Sequence, residues 1–458
     1  MKRVDVKRIQ QLASELFEYE QLRPGQLEAI ESVLAGRDTL AVMPTGSGKS
    51  AIYQLAALLI DGPTLVISPL IALQRDQVAA IAERPLPAAA LVNSTLNTGE
   101  REEALAEYAS GELEFLFLAP EQFGNEETLE HLRSLKPSLF VVDEAHCVSE
   151  WGHDFRPDYL KLGQVIEALG HPAVLALTAT AAPPVREEIV SRLGMREASQ
   201  IVRGFDRPNL WLGVETFQDQ AEKQAAFLAA VGRAQKPGIV YAATRRCTEE
   251  LADALNAQGT PAAAYHAGLS AHERAERQTA FMDDATQVIV ATTAFGMGID
   301  KPNVRFVYHY DISGSLDSYY QEIGRAGRDG ERAEAVLFYC PQDLGVRRYF
   351  AGSGSLTADE IEPVAEWIGE SEAPVALEAL QSALELSQSK LTHALDRLEE
   401  VGAIEVLDDG AIVAAPIDPV EAAEAAARAQ EHRRQYERSR LEMMCGYAEV
   451  RDCRREYL

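Results

Sequence analysis

The chain has 458 residues, 47% hydrophobic and 25% charged, ordinary values for a globular protein of roughly three domains. No apolar run is long enough to cross a bilayer, and the opening MKRVDVKRIQ lacks the apolar stretch of a signal peptide. The net charge of −28 argues mildly against a nucleic-acid partner, and five scattered cysteines argue against a disulfide framework and for a reducing cytoplasm.

The first block of the chain alternates short apolar runs with helical patterns, which predicts a parallel sheet covered on both faces. Its strands are DTLAVM, TLVISP, EFLFLA, SLFVVD and AVLALT. After the first of these comes MPTGSGKS, residues 43–50, and then a helical pattern. Thr45, Gly46, Ser47, Gly48, Lys49 and Ser50 match the core of a phosphate-binding loop, although Met43-Pro44-Thr45 replaces its usual first glycine. Glycines let backbone N–H groups curl around phosphate oxygens, and the next helix adds its positive dipole end. Lys49 is assigned to the β- and γ-phosphates and Ser50 to Mg²⁺.

The run SLFVV ends in Asp143 and Glu144. A carboxylate at a strand's C-terminal end can hold Mg²⁺, and the next can orient and deprotonate a water, so these roles are assigned in that order. The same stretch continues into SEWGHDFRPDY, whose Trp151 and Phe155 read on composition alone as small-core residues.

After the connector RGFDRPNL, residues 203–210, a second block repeats the alternation with GIVYAA, AAAYHA, QVIVAT, VRFVYHY and AVLFY. It includes QEIGRAGRDG, where Arg325 and Arg328, three residues apart, are expected to share a helical face. From a second domain they could complete the phosphate site when the domains close, as arginine fingers do.

Beyond AVLFY, AGSGSLTADE reads as a linker and helix start. The next segment reads as helix, turn at Leu386-Ser387, helix, and a hairpin at Asp409-Gly410, a winged-helix pattern over residues 353–416. Residues 353–427 hold 17 acids against Lys390 and Arg397, more than half of the net charge. This domain is therefore expected to be a protein-contact or regulatory element, one that could compete with DNA for the motor, rather than to grip DNA, despite Lys390, His393 and Arg397 on one helix face. The tail, residues 417–458, reads as helical to its end.

Taken together, the motifs resemble RecQ-type DNA helicases, DEAH-box members of helicase superfamily 2. FEYEQLRPGQ, MPTGSGKS, VISPLIAL, LAPE, DEAH, WGHDFRP, ALTATA, YHAGL, ATTAFGMGID and QEIGRAGRDG run in the family's order over residues 17–339, about three-quarters of the chain. The resemblance implies an α/β fold with two RecA-like parallel-sheet motor domains, residues 1–205 and 206–345, before the winged-helix-like domain and tail. It implies an ATP-dependent helicase of 3′→5′ polarity that moves on single-stranded DNA and unwinds tailed duplexes, in recombination and repair, in a bacterial-type cytosol or nucleoid. An RNA-remodelling ATPase of the same superfamily, a DNA-stimulated ATPase with weak unwinding, and a scaffold with a degenerate motor are the alternatives.

Carried over residue by residue, Tyr19 stacks on adenine, and Arg23 and Gln26 read or brace the base. Gln321, Arg325 and Arg328 reach the phosphates, and Thr178-Ala179-Thr180 links the ATP and DNA sites. Ser68, Pro69, Thr292 and Thr293 lie where the family grips the strand backbone. Trp151, Phe155 and Arg156 suit a loop that senses single strands, with His153 relaying contact to the Mg²⁺ site. Glu150 stands where the family commonly has an uncharged polar residue. The tail GYAEVRDCRREYL resembles the opening of the family's four-cysteine zinc module, with Cys453 at the first ligand position. Eight helical residues, about 12 Å, separate Cys453 from Cys445. Zn²⁺ is therefore expected only if the chain continues beyond Leu458, and a truncated form is the expectation.

Overall fold

The structure is a computed structural model. It describes residues 6–458 except 18, 70, 94–95, 125, 150–155, 205, 297–298, 300, 346–355, 372, 385 and 408–410. Two compact units divide the chain: Met1–Ser313, Asp317–Cys340 and Val450–Leu458 form one, and Gly314–Leu316 with Pro341–Glu449 the other.

The first unit holds two all-parallel sheets. Strands β1 (Thr39–Val42), β2 (Thr64–Ile67), β3 (Ala88–Val92), β4 (Leu113–Leu118), β5 (Leu139–Val142), β6 (Ala173–Thr178) and β7 (Ser199–Val202) are ordered β3-β4-β2-β5-β6-β1-β7 among the described residues. Strands β8 (Leu210–Thr216), β9 (Gly238–Tyr241), β10 (Ala262–Tyr265), β11 (Val288–Ala291), β12 (Phe306–His309) and β13 (Ala333–Tyr339) are ordered β10-β11-β9-β12-β13-β8. Every residue of β1, β2, β5, β9, β11 and β12 is buried, because helices cover both faces of a parallel sheet and no residue can point to water. Strands β3, β7 and β8 fall in segments where the apolar runs predict no strand. All three are sheet edges and half-exposed; β7 and β8 mix polar with apolar residues, whereas β3 is AAALV, apolar but mostly alanine.

In the second unit, helices Ala358–Gly369, Leu377–Leu384 and Gln388–Glu400 precede a hairpin of β14 (Ile404–Val406) and β15 (Ile412–Ala414). Val375 adds an antiparallel bridge to Ile412. The expected Asp409-Gly410 turn lies outside the described residues. A helix spanning Pro419–Glu449 comes next, and its first turns bury Ala422, Ala423 and Ala426 in the same core as Ile361, Leu391 and Leu398. The expected division at residue 416 therefore cuts through one core. The tail is not helical throughout either: the long helix stops at Glu449, and a separate turn of helix, Arg454–Tyr457, belongs to the first unit. Lys390 pairs with Glu360 at 2.8 Å and Arg397 with Glu400 at 2.6 Å, so acids of the same unit neutralise both cations of the expected basic face.

Candidate active site

Buried β1 delivers the chain into the loop 43–48, which ends at the helix Lys49–Ala57. Gly46 and Gly48 adopt φ of 77° and 76°, a region that side chains disfavour. A Cβ on Gly48 would also lie 2.7 Å from Gln26 Nε2 and 3.2 Å from the Tyr19 hydroxyl. Gln26 Nε2 donates to Ser47 O at 3.1 Å and Gly48 O at 2.9 Å, while its Oε1 accepts the Arg23 N–H at 2.8 Å. The Arg23 guanidinium donates to Gly46 O and lies 5.7 Å from the centre of the Tyr19 ring. Lys49 Nζ donates to Met43 O at 3.2 Å. Tyr19, Arg23 and Gln26 thus gather around the phosphate loop, and two of them brace its carbonyls.

Asp143 and Glu144 follow β5. Glu144 takes a left-handed φ of 49°, which turns its N–H onto Asp143 Oδ1 at 3.0 Å. Burial, then the neighbouring Glu144, push the Asp143 carboxyl up; Lys49 opposes the shift. Burial pushes Lys49 down, opposed by the same two acids. Asp143 and Glu144, two half-buried carboxylates of like charge, line the same cleft as Ser50, a hard-oxygen donor set. Their chemistry fits Mg²⁺, which takes oxygen ligands.

Behind the acids runs a buried polar relay. His146 Nδ1 lies 3.3 Å from Glu144 Oε2 and 3.0 Å from Thr178 Oγ1. The Thr178 hydroxyl donates to Thr180 O at 3.1 Å, so it accepts from the imidazole N–H. The DEAH motif is legible in the sequence, but nothing there gives its histidine a role; the buried TAT segment it meets is 32 residues away.

The second sheet supplies the opposite wall. Gln321 sits on the helix Leu316–Ile323. Arg325 and Arg328 do not share a helical face as expected: the helix ends at Ile323, and turns that include Gly327 at φ 58° carry both arginines. Even so, these turns meet the phosphate loop. A Cβ on Gly324 would lie 2.9 Å from Thr45 Cβ, and one on Gly46 would lie 3.4 Å from Arg328 Cγ. Gln321 Nε2 and Arg325 Nε are buried without a hydrogen-bond partner. Underneath, His309 Nε2 and the Ser313 hydroxyl reach Glu322 Oε2 at 2.7 and 3.1 Å, and Tyr241 stacks on His309 at 5.2 Å. The two walls enclose a cleft of about 630 Å³ lined by Tyr19, Lys49, Asp143, Glu144, Gln321 and Arg325, among others.

The residues expected on a nucleic-acid strand are placed less uniformly. Thr293 is exposed and Thr292 half-buried beyond the end of β11. Ser68 and Pro69 are buried, so neither side chain faces a strand; instead Arg156 donates to Pro69 O at 2.7 Å. Thr178 and Thr180 are also buried, which fits a relay rather than a contact. Glu150, Trp151, His153 and Phe155 lie outside the described residues. Cys453 is exposed, and among the described residues no group of three or more His, Cys, Asp or Glu side chains could hold a metal.

Residues 23–189 match the DEAD/DEAH box helicase family, and residues 222–330 the helicase conserved C-terminal domain. The "Probable ATP-dependent DNA helicase RecS" of Bacillus subtilis (strain 168) is 42% identical over 358 residues, 78% of this chain and 72% of that protein. The "ATP-dependent DNA helicase RecQ" of Pasteurella multocida (strain Pm70) is 44% identical over 329 residues, and the match spans 51% of its length. The chain thus spans about half the length of that RecQ relative. The solved structure of Mycobacterium smegmatis helicase Lhr bound to ssDNA and AMP-PNP superimposes with a TM-score of 0.57 at 23% identity, over 90% of this chain and 60% of that one, a likeness of fold. Identity of 42% over 72% of that RecS relative, joined to a phosphate loop, a DEAH acid pair and arginines that meet in one cleft, assigns the chain to the RecQ family of ATP-dependent DNA helicases.

Proposed function

We propose that this chain hydrolyses ATP to drive 3′→5′ movement along single-stranded DNA and to unwind tailed duplexes in recombination and repair, within a bacterial-type cytosol or nucleoid. The observation that carries the reading is the approach of the Gly324–Arg328 turns to the phosphate loop, which makes one site of two domains. In this reading Lys49 neutralises the β- and γ-phosphates, and Glu144 orients the attacking water and takes its proton. Arg325 and Arg328 stabilise the transferring phosphoryl, so hydrolysis requires closure and its product favours opening. Ser50 and Asp143 would hold Mg²⁺, which would supply charge neutralisation at the phosphate oxygens. The His146–Thr178–Thr180 relay carries strand occupancy to Glu144.

The test is ATP turnover with single-stranded DNA, with RNA and with neither, then unwinding of 3′- and 5′-tailed duplexes. DNA is expected to stimulate turnover, RNA to stimulate it weakly, and Lys49→Ala to abolish it. Equal stimulation by RNA would favour an RNA-remodelling ATPase; no turnover would leave only a scaffold.

The acidic second unit is proposed as a winged-helix domain that contacts protein rather than DNA. Its three helices, its hairpin and the internal pairing of Lys390 and Arg397 support this. Glu366, Glu370 and Glu405 are exposed, so replacing all three with lysine is expected to leave single-strand affinity within about twofold at fixed salt. A gain of about tenfold or more would mean that these acids face the strand.

A further inference from the structure

The turns that carry the two arginines are held from behind by residues that do not line the cleft. Arg207, in the connector between β7 and β8, donates through one guanidinium nitrogen to Gly324 O at 2.8 Å and through the other to Gly327 O at 2.6 Å. These two carbonyls bracket Arg325, and the second immediately precedes Arg328. Asn209 Nδ2 adds bonds to Gly327 O at 2.8 Å and Glu331 O at 2.9 Å. The planar fork of arginine suits this bridging, and a single ammonium does not reproduce its two directions.

The connector is itself anchored. Arg455, on the helix turn Arg454–Tyr457, donates to the Asp206 carboxylate, to Arg207 O at 2.9 Å and to Leu210 O at 2.6 Å. A cavity of about 240 Å³, lined by Asp206, Arg207, Leu210, Tyr320, Gly324 and Arg455 among others, lies at this junction. The result is a series of contacts: tail to connector, connector to arginine turn, arginine turn to phosphate loop.

We propose that Arg455 and Arg207 are positioning residues acting in series, so that docking of residues 450–458 on the connector sets where Arg325 and Arg328 stand and thereby sets the rate of ATP hydrolysis. The inference rests on the reading of those two arginines as phosphoryl ligands. It assigns the C-terminal tail a control over turnover that is independent of any metal at Cys453. A purely structural tail would lower stability; a positioning tail lowers kcat and leaves nucleotide affinity alone.

The experiment uses the full chain and measures DNA-stimulated ATP turnover, affinity for a non-hydrolysable ATP analogue, and melting temperature. Arg455→Ala is expected to lower kcat about tenfold, with KM and analogue affinity within about twofold of the parent. Arg207→Ala is expected to lower kcat further. The double variant should match Arg207→Ala alone, because Arg455 acts through the segment that Arg207 fixes. Unchanged kcat in Arg455→Ala, a change confined to KM, or a double variant whose loss is the product of the single losses would each overturn the proposal. Should Arg207→Ala fail to fold, Arg455→Ala decides by itself. A parent chain that turns over no ATP would instead refute the function proposed above, so the two failures are distinguishable.

Discussion

Both walls of the cleft have backbone carbonyls braced by side chains, Gly324 and Gly327 by Arg207 and Asn209 on the second, but they differ in the donors they turn toward the cleft. On the first, the carbonyls of Gly46, Ser47 and Gly48 already accept bonds from Arg23 and Gln26, and Lys49 donates to Met43 O. On the second, Gln321 Nε2 and Arg325 Nε are buried with no partner. A buried donor left unsatisfied costs about 1–3 kcal/mol, whereas a satisfied one contributes modestly to stability. The first wall is therefore a cradle whose loop carbonyls its own side chains brace, with Ser47 Oγ and Glu144 Oε2 left buried without a hydrogen-bond partner. On the proposed reading, the second holds two donor atoms that gain when phosphate oxygens meet them on closure. Binding free energy is expected to come mainly from the first wall and rate from the second, since only interactions stronger in the transition state raise kcat.

The largest test of this contrast is Arg325→Ala. An arginine finger contributes about 10³-fold or more to phosphoryl transfer, so kcat should fall by about that factor while analogue affinity changes less than about threefold. Steady-state turnover beside analogue titration reads both. If affinity fell as far as kcat, Arg325 would be a binding residue, and the two walls would not differ in kind.

The difference between the walls also explains what the sequence made readable. Both the phosphate loop and the DEAH pair sit at the ends of fully buried strands, β1 and β5, whose uninterrupted apolar runs mark them as internal. Local pattern was enough there. On the second wall, spacing suggested a helical face for Arg325 and Arg328, and the intervening glycines were the contrary signal: Gly324 follows the last helical residue, and Gly327 takes positive φ. What holds those arginines was not legible at all. Arg207 lies 117 residues from Gly324, and Arg455 lies 248 residues from Arg207. No periodicity or spacing connects such positions; only the folded β8 edge brings them together. The relay from His146 to Thr178 was hidden in the same way, by two strand ends that are neighbours only because β5 pairs with β6.

Gln26→Ala tests the first wall, with a smaller expected effect. Its amide makes three bonds, to Ser47 O, Gly48 O and the Arg23 N–H, and truncation removes all three without touching a charge. The carbonyls it releases face solvent in part, so the cost falls near the lower end of about 1–3 kcal/mol, and KM for ATP should rise about tenfold with kcat within about twofold. The family resemblance implies a second task for Gln26, reading or bracing the adenine base, and the two tasks separate experimentally. Loss of bracing weakens ATP and GTP alike, whereas loss of base reading weakens ATP alone and erases discrimination between them. The bonds to the phosphate loop favour the first outcome. A fall in kcat at unchanged KM would invert the assignment, because it would mean that the loop's shape matters only once the second wall has closed on it.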